Sequence, residues 1–418
     1  MFAKRRSFLA YALALATLPA MARTGGDELA AVMDHWASGY GSLDLPTLAL
    51  SYETFLADVL DAADREAQEK FFAGVVSRLE RIDATELNVE ETLEHAILRY
   101  ESELQLEQLA LAGAWPAGRP INDAGIHHQH DGRRWYRYLV RLWTSAAASP
   151  DEIAAYGREE IARIKATMAS LGPDLEAAGE TRSERRIEAA FDAYANGISA
   201  TLDRHFPAFP DLPPLSVARG TNAALAQVPG YYGNDRLAYN LFDTPFDLDQ
   251  IPWLYIHEGN PGHHFQLNYE TTREVPAYRS GLNYSGFREG WAAYVEAVGH
   301  EIGLYPTDAA RLKQLEWDLI RSTRLVLDVG INDRGWTDAA ALAEWRRHIV
   351  GLDAIGRREI ERMRRWPAQV LTYKLGAKAI LEARTHASER TLQEFHTVLL
   401  SERSIPVLLV GELLRGGR

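Results

Sequence analysis

Apolar residues recur at intervals of three and four positions along most of the chain, which is the period of an amphipathic α-helix. Phe72, Val75 and Leu79 show this spacing within a stretch that is rich in Ala, Leu and Glu. Pro150, preceded by a serine and followed by two acidic residues, is typical of a helix start. The pattern predicts helices within 27–105 and over 135–143, 153–171, 183–200, 306–328, 337–365 and 368–387.

Three stretches interrupt the helical pattern. Residues 116–131 contain Pro, Gly and several histidines and predict a loop, and 207–214 has four prolines in eight positions, so we expect a hinge there. Short aromatic and apolar runs broken by Gly and Asn predict a few strands over 217–246, which we expect to line a cleft. The sequence therefore predicts a mainly α fold with a central cleft and a minor β element.

The composition is that of a folded globular protein, because 46% of the 418 residues are hydrophobic and 25% are charged. The net charge of -13 repels phosphate backbones, so we expect no nucleic-acid partner. The chain has no cysteine, which excludes disulfides and thiolate ligands. Any metal must therefore be held by His, Asp or Glu.

The first 22 residues read as an export signal. They have a basic start, an apolar stretch over 8–18 and an Ala-x-Ala-like cleavage site at Ala20 and Ala22. The adjacent arginines also resemble the twin-arginine type of signal. The apolar stretch is too short to span a bilayer, and without cysteine a lipoprotein anchor is excluded. We expect a protein exported to the bacterial periplasm that has no membrane association after cleavage of 1–22.

The segment around residue 260 contains the residues with the clearest chemical meaning. His257 and Glu258 begin a motif that resembles H-E-x-x-H, in which two imidazoles four positions apart bind zinc and the Glu activates water. Here Pro261 stands at the fourth position, and His263 would point about 240° away from His257 on a regular helix. We therefore expect a break at Pro261 and Gly262 that turns His263 toward the metal.

Two more residues bear on the ligand set. His264 faces the right way on an ideal helix but lies about 10 Å further along its axis, so it is the reserve for His263. Glu289 opens a later helical stretch and is the expected third ligand, with Glu296 and His300 beyond it as groups that orient ligands. Three protein ligands leave a fourth zinc position open, which is typical of a catalytic site.

Four segments, HEGNPGHHFQ, REGWAAYVE, RLVLDVGIND and WPAQVLTYKLG, resemble in the same order the signatures of the bacterial domain-of-unknown-function family 885 (DUF885). This family is grouped with gluzincin-like metallopeptidases that have an HExxPGHH motif. The resemblance implies a large helical zinc-peptidase-like fold. It also implies that His257, His263 and Glu289 are zinc ligands and that Glu258 is the general base.

The resemblance covers about 231–384 well. The chain departs from the family in being shorter ahead of this part and in having Ala368 where the family usually has Gly. Together these features predict a signal peptide over 1–22, a helical N-terminal region over 23–206 and a metallopeptidase-like catalytic region over 215–418, the last two forming one globular unit.

The leading hypothesis is a zinc-dependent hydrolase, a metallopeptidase that cuts short peptides or peptide-like amides with Glu258 as general base. Tyr373 and Arg324 are candidates to stabilise the oxyanion, because a phenol or a guanidinium can stabilise charge beside a metal. The alternatives are that Tyr373 lies at the edge of the core and that Arg324 pairs with Asp328.

Two other functions stay open, a zinc hydrolase of another amide or ester and an exported protein that binds peptides without cutting them. His127, His128 and His130 have no acidic partner at helical spacing, so we expect them to be solvated or to line a groove rather than to bind a metal. The oligomeric state is open.

Overall fold

The computed structural model describes residues 24–46, 48–172, 175–226 and 228–416. The signal peptide predicted over 1–22 therefore lies outside the described residues. Within the described ranges, no helix is both long and apolar enough to cross a membrane.

The prediction of a mainly α fold with a minor β element is confirmed. The helices are α1 (Gly25–Gly39), α2 (Tyr52–Asp61), α3 (Arg65–Leu79), α4 (Val89–Gly113), α5 (Gly132–Thr144), α6 (Pro150–Ser170), α7 (Glu184–His205), α8 (Ile251–Glu258), α9 (His263–Thr271), α10 (Ser285–Gly299), α11 (Asp308–Asn332), α12 (Asp338–His348), α13 (Asp353–Arg365), α14 (Thr372–His386), α15 (Leu392–Leu399) and α16 (Val410–Gly416). The strands are β1 (Glu180–Thr181), β2 (Ser216–Arg219), β3 (Gly230–Gly233), β4 (Arg236–Tyr239) and β5 (Phe246–Asp247).

The helix start predicted near residue 150 is confirmed, and its cap explains it. The Ser149 side chain accepts a hydrogen bond from the backbone N–H of Glu152, and the Glu152 carboxylate accepts one from the backbone of Ser149. This reciprocal pair satisfies two backbone donors that the first helical turn leaves free. Pro150 stands at the first helical position, where its missing N–H costs nothing.

The single helix predicted over 337–365 is wrong, because two helices occupy that stretch. α12 ends at His348 and α13 begins at Asp353. Between them Gly351 has a φ of 77°, a left-handed conformation that glycine adopts without the steric cost that a Cβ imposes. The apolar period continues across this turn, so it did not reveal the break.

The strands form two small sheets. β4 lies between β2, to which it is parallel, and β3, to which it is antiparallel, while β1 pairs with β5. β3 packs directly on α8, since a Cβ added to Gly230 would lie 3.1 Å from the Leu254 side chain. The three-stranded sheet therefore supports the helix that carries the His-Glu pair.

Two hydrophobic cores hold the helices together. The first includes Trp36 of α1 and Trp291 of α10, and the second includes Trp135 of α5, Leu325 of α11 and Trp345 of α12. Each core thus combines helices from both sides of the proline-rich loop, and burial of these large side chains is the main source of their stability. Helices α8 and α10 belong to the first core and α11 to the second, so the residues of chemical interest lie where the cores meet.

Helices α10 and α14 approach each other at two glycines. A Cβ added to Gly290 would lie 2.5 Å from the Cα of Gly376, so neither position has room for a side chain. This close contact brings the start of α14, with Tyr373, toward the part of α10 that carries Glu289.

Ala368, one of the departures from the family pattern, has a φ of 68°. An L-residue pays roughly 1–2 kcal/mol for this left-handed conformation, and glycine does not. The Ala368 N–H points at the buried Asp328 carboxylate, 3.2 Å from each oxygen. The conformation explains why glycine suits this position.

Candidate metal centre

The break predicted between His257 and His263 is confirmed. α8 ends at Glu258, the Asn260–Pro261 peptide bond is cis, and α9 begins at His263. A Cβ added to Gly262 would lie 2.0 Å from the carbonyl oxygen of His257, so only glycine lets the chain fold back this closely on the end of α8. The segment is held from outside by Trp291, whose Nε1 donates to the carbonyl of Pro261 at 2.8 Å.

The break brings His257, His263 and Glu289 together. Oε2 of Glu289 lies 3.8 Å from Nε2 of His257 and 3.5 Å from Nε2 of His263. The two imidazole rings are nearly perpendicular, with centroids 4.9 Å apart. Ligand atoms that share one tetrahedral zinc at ~2.0–2.2 Å lie ~3.3–3.6 Å from each other, so the 3.5 Å contact has this spacing and the 3.8 Å contact is slightly longer.

Glu289 provides a further test of whether these residues fit a metal. Its Oε2 is buried and accepts no hydrogen bond from any described residue, although a buried polar atom without a partner is costly. Burial opposes ionisation of Glu289, but its attraction to His263 and His257 outweighs this and lowers the pKa to about 2. An ionised carboxylate oxygen that faces two imidazoles and has no partner fits a divalent cation.

Glu258 also faces the imidazole pair. One ligand atom from each of His257, Glu258 and His263 can be chosen so that all three lie within 4.8 Å of one another. Among the described residues the Glu258 carboxylate has no hydrogen bond or ion pair, so it is available to a ligand. Burial raises its pKa, and the two histidines only partly offset this. The two carboxylates therefore differ, with Glu289 the stronger acid and Glu258 the stronger base.

His257 is held by a carboxylate on the side away from this cluster. Its Nδ1 lies 2.6 Å from Oε1 of Glu296, so Nδ1–H donates to that carboxylate and Nε2 is the nitrogen that faces Glu289. Arg321 of α11 donates to both oxygens of Glu296, at 2.7 and 2.6 Å. A second partner of this kind fixes the tautomer and the orientation of a metal-binding imidazole. Glu296 thus has the position that the sequence predicted for an orienting group.

Tyr373 lies beside the imidazole pair. Its ring is nearly parallel to that of His257, with centroids 6.2 Å apart, and the guanidinium of Arg321 lies 5.3 Å from the ring centroid. The positive charge of Arg362 also acts on the Tyr373 side chain. Burial and the negative charge of Glu289 raise the pKa of Tyr373, so the phenol stays protonated at neutral pH and can donate a hydrogen bond.

Arg324 does not lie against the imidazole pair. Its guanidinium is 6.0 Å from the Tyr373 ring and its Nε is 2.8 Å from Oε2 of Glu359, in a pair that is almost fully buried. The predicted alternative, an ion pair with Asp328, is wrong. The Asp328 carboxylate instead accepts hydrogen bonds from the Tyr136 hydroxyl at 2.6 Å and from the backbone N–H of Ala368 at 3.2 Å. Arg324 therefore lies near Tyr373 but does not contact the imidazole pair.

His264, the reserve ligand, is directed elsewhere. Its Nε2 lies 2.8 Å from the carbonyl oxygen of Pro213, and its Nδ1 lies 3.2 Å from the hydroxyl of Tyr232 on β3. It thus fastens α9 to the proline-rich loop and to the sheet. His300, also considered for orienting a ligand, is exposed at the end of α10.

Arg321 and Arg362 are the residues of this site that the sequence interpretation missed. Arg321 precedes Arg324 by three positions, which places both on one face of α11, in a part of the helix that is buried throughout. A charge in such a stretch needs a partner, so a signal for Arg321 was present. Arg362 had none, because α13 is rich in arginine and the sequence does not distinguish one from another.

Two solved structures described as putative lipoproteins are similar to 94% of this chain. The protein from Colwellia psychrerythraea is 22% identical with a TM-score of 0.63, over 70% of its own chain. The protein of unknown function from Shewanella oneidensis is 16% identical with a TM-score of 0.57, over 88% of its own chain. The M32 carboxypeptidase from Deinococcus radiodurans R1 is 12% identical with a TM-score of 0.42, over 93% of this chain and 95% of its own. At these identities the likeness to the first two proteins is one of fold alone.

Among curated proteins, none matches the sequence. The family model described as "Bacterial protein of unknown function (DUF885)" matches residues 112–414, which is well over half of the chain. This chain therefore belongs to the DUF885 family.

Proposed function

We propose that this protein is a zinc-dependent hydrolase that cleaves amide bonds in peptides or peptide-like substrates. The observation that carries the proposal is the convergence of His257, His263 and the unpartnered Oε2 of Glu289, at 3.8 and 3.5 Å, with Glu258 beside them. Three protein ligands, one fewer than a structural zinc site has, leave a position for substrate or water.

His257, His263 and Glu289 would hold the zinc, which when bound supplies Lewis acidity toward a carbonyl group and toward water. Glu296 and Arg321 keep His257 in the tautomer whose Nε2 is unprotonated and faces Glu289. The side chain of Glu289 is one-quarter exposed, so the cluster is open to solvent and to a substrate chain.

Glu258 acts as the general base. It accepts a proton from the water that attacks the carbonyl carbon, and it gives this proton to the leaving nitrogen as the C–N bond breaks. Burial raises the pKa of Glu258, which makes it a better proton acceptor than an ordinary carboxylate. Tyr373 donates a hydrogen bond to the oxyanion that forms when the new C–O bond is made.

The proposal is tested by metal analysis of the purified protein followed by assays of Glu258→Gln on a mixed library of short peptides. We expect one zinc per chain in both proteins and a loss of turnover of roughly 10²–10⁴-fold in the variant, because proton transfer by a side chain contributes about this factor. Glu361→Gln, the same change at an exposed position of α13, should retain full turnover. A wild-type protein that binds no metal would refute the proposal.

The same experiment separates the other functions. Zinc binding without any peptide product would favour another amide or an ester as substrate, and peptide binding without zinc would favour a binding protein. We also propose export to the periplasm, on the basis of residues 1–22, which cell fractionation tests.

A further inference from the structure

Three arginines share the Glu359 carboxylate behind the metal centre, and Nη2 of Arg358 lies 3.3 Å from its Oε1. Nε of Arg324 lies 2.8 Å from Oε2 of Glu359, and Nη1 of Arg362 lies 3.9 Å from the same oxygen. The shorter of these contacts assigns Glu359 mainly to Arg324. Arg362 is therefore a cation whose nearest carboxylate is already engaged by another guanidinium.

The contacts of Arg362 leave part of its guanidinium without a partner. Nη2 donates to Oε1 of Gln369 at 2.6 Å, and Gln369 precedes Tyr373 by four positions. Its Nε is buried and has no hydrogen-bond partner within the part of the chain that the structure describes. The side chain as a whole is 22% exposed, so an incoming group can reach it. A planar guanidinium with spare donors suits a carboxylate better than any other common group.

Arg362 is also close to the bond that would be cut. Its partner Gln369 stands about one helical turn before Tyr373, and the Tyr373 ring lies 6.2 Å from the ring of His257. The Tyr373 side chain thus lies between the neighbourhood of Arg362 and the metal ligands. In a peptide, the α-carboxylate carbon of the last residue lies three bonds, about 3–4 Å, beyond the carbonyl carbon of the last amide bond, so both groups can lie along one tyrosine side chain.

We infer that Arg362 binds a substrate carboxylate on the leaving-group side of the scissile bond, and specifically the α-carboxylate of a C-terminal residue. This inference deepens the proposed function and rests on it for the identity of the scissile bond. Arg362 would then determine substrate specificity. The substrates would be peptides with a free C-terminus, from which the last residue is removed. The leaving nitrogen that takes the proton from Glu258 would then be the amine of that last residue.

Binding is measured by calorimetry in the Glu258→Gln background, so that the probes are not consumed. The probes are an N-acetylated alanine pentapeptide as the free acid, the same peptide as its C-terminal amide, and an amidated peptide with aspartate in the last position. We expect the free acid to bind at least about 10-fold more tightly than the amide, since a charged hydrogen-bond pair contributes a factor of this size or more.

Three variants test whether Arg362 causes this difference in affinity between free acid and amide. Adding Arg362→Gln should abolish the difference between free acid and amide, while Arg362→Lys, which keeps the charge but loses the planar geometry, should retain part of it. Arg365→Gln removes the same charge from an exposed position on the same helix and should leave the ratio unchanged. Thermal unfolding of each variant shows that it is folded.

The outcomes separate this inference from the proposed function. Equal binding of free acid and amide overturns the inference even if the wild-type protein contains zinc and cuts peptides. Binding of the aspartyl amide as tightly as the free acid overturns the α-carboxylate in favour of an acidic side chain. If Arg362 distinguishes the free acid from the amide but the wild-type protein cuts no peptide, the carboxylate site is supported and the proposed hydrolase is refuted.

Discussion

The molecule has two regions that are rich in histidine, and they are built in opposite ways. In the candidate metal centre, His257 and His263 converge on Glu289, with Oε2 of the carboxylate 3.8 and 3.5 Å from their Nε2 atoms. In the loop ahead of α5, His127 and His128 also touch, with ring centroids 5.2 Å apart. Both regions thus bring imidazoles into contact.

The loop histidines lack the carboxylates of the metal centre. Asp131, the nearest acid in the sequence, pairs with Arg134 at 3.0 Å, and the His130 ring contacts that of Trp115. Nδ1 of His127 is buried with no hydrogen-bond partner in the described ranges. Within those ranges, the metal-capable group of His, Asp and Glu is the one at His257, and the loop forms no such group.

The difference shows that adjacent histidines alone are not sufficient for a metal site. At the metal centre, acidic groups face both sides of the imidazole, with Glu289 at Nε2 and Glu296 at Nδ1 of His257. A carboxylate on one side provides charge for a cation, and one on the other side fixes the tautomer that can bind it. The loop has neither.

The largest effect that separates the two regions is expected for His263→Ala. Loss of one of three protein ligands should weaken zinc binding on the order of 1000-fold, because structural zinc sites bind with roughly 10–16 kcal/mol shared among their ligands. Titration of the metal-free protein with zinc measures the change. His127→Ala is the matched control and should change zinc affinity less than about twofold, within ordinary variation. An equal loss of zinc affinity in both variants would contradict the proposed difference between the two regions.

A third buried histidine shows what burial does without a carboxylate. His396 donates from Nδ1 to the carbonyl of His205 at 2.6 Å and accepts at Nε2 from the hydroxyl of Tyr294 at 2.9 Å. Burial lowers its pKa to about 3, well below the ordinary 6.5, so the imidazole of His396 is neutral in the folded protein at pH values above about 3. The unfolded chain therefore takes up the proton first as the pH falls.

The contribution of His396 to stability is complete above pH 6.5 and decreases as the pH falls toward 3. With a slope near 1.4 kcal/mol per pH unit, the loss between pH 6.5 and 4 should be about 3 kcal/mol. Denaturant unfolding at several pH values measures it in the wild type and in His396→Gln, a neutral side chain that can still donate and accept. The variant should lack this part of the slope, and parallel curves would contradict the expectation.

A smaller effect is expected for Glu296→Gln, which removes only the charge behind His257. Zinc affinity should fall by roughly 10–100-fold, the usual range for a group that orients a ligand without touching the metal. The same zinc titration measures it, and Glu382→Gln, an exposed change on α14, is the control. Because Arg321 loses its ionised partner, unfolding of the metal-free variant is measured as well. Unchanged zinc affinity would mean that His257 is oriented by packing alone.

Part of this site was predictable from the chain and part was not. The break at Pro261 and Gly262 followed from the need to turn His263, and the structure has it where a Cβ on Gly262 would clash with His257. The partner considered for Arg324 in the alternative interpretation was wrong, since Asp328 lies one turn away on the same helix whereas the observed partner, Glu359, lies on α13. Spacing within one helix could not reveal a contact between two.

The sequence by itself determined the helical class, the break between α8 and α9 and the choice of His-Glu chemistry, because apolar period, proline geometry and glycine sterics act over a few residues. Only the tertiary structure decided which charges meet. The link from His257 through Glu296 to Arg321 joins three helices, and His264 is directed to a loop that lies 51 positions earlier in the chain. Such contacts depend on how helices pack, since two charges far apart in sequence interact only where the fold places them within a few ångström.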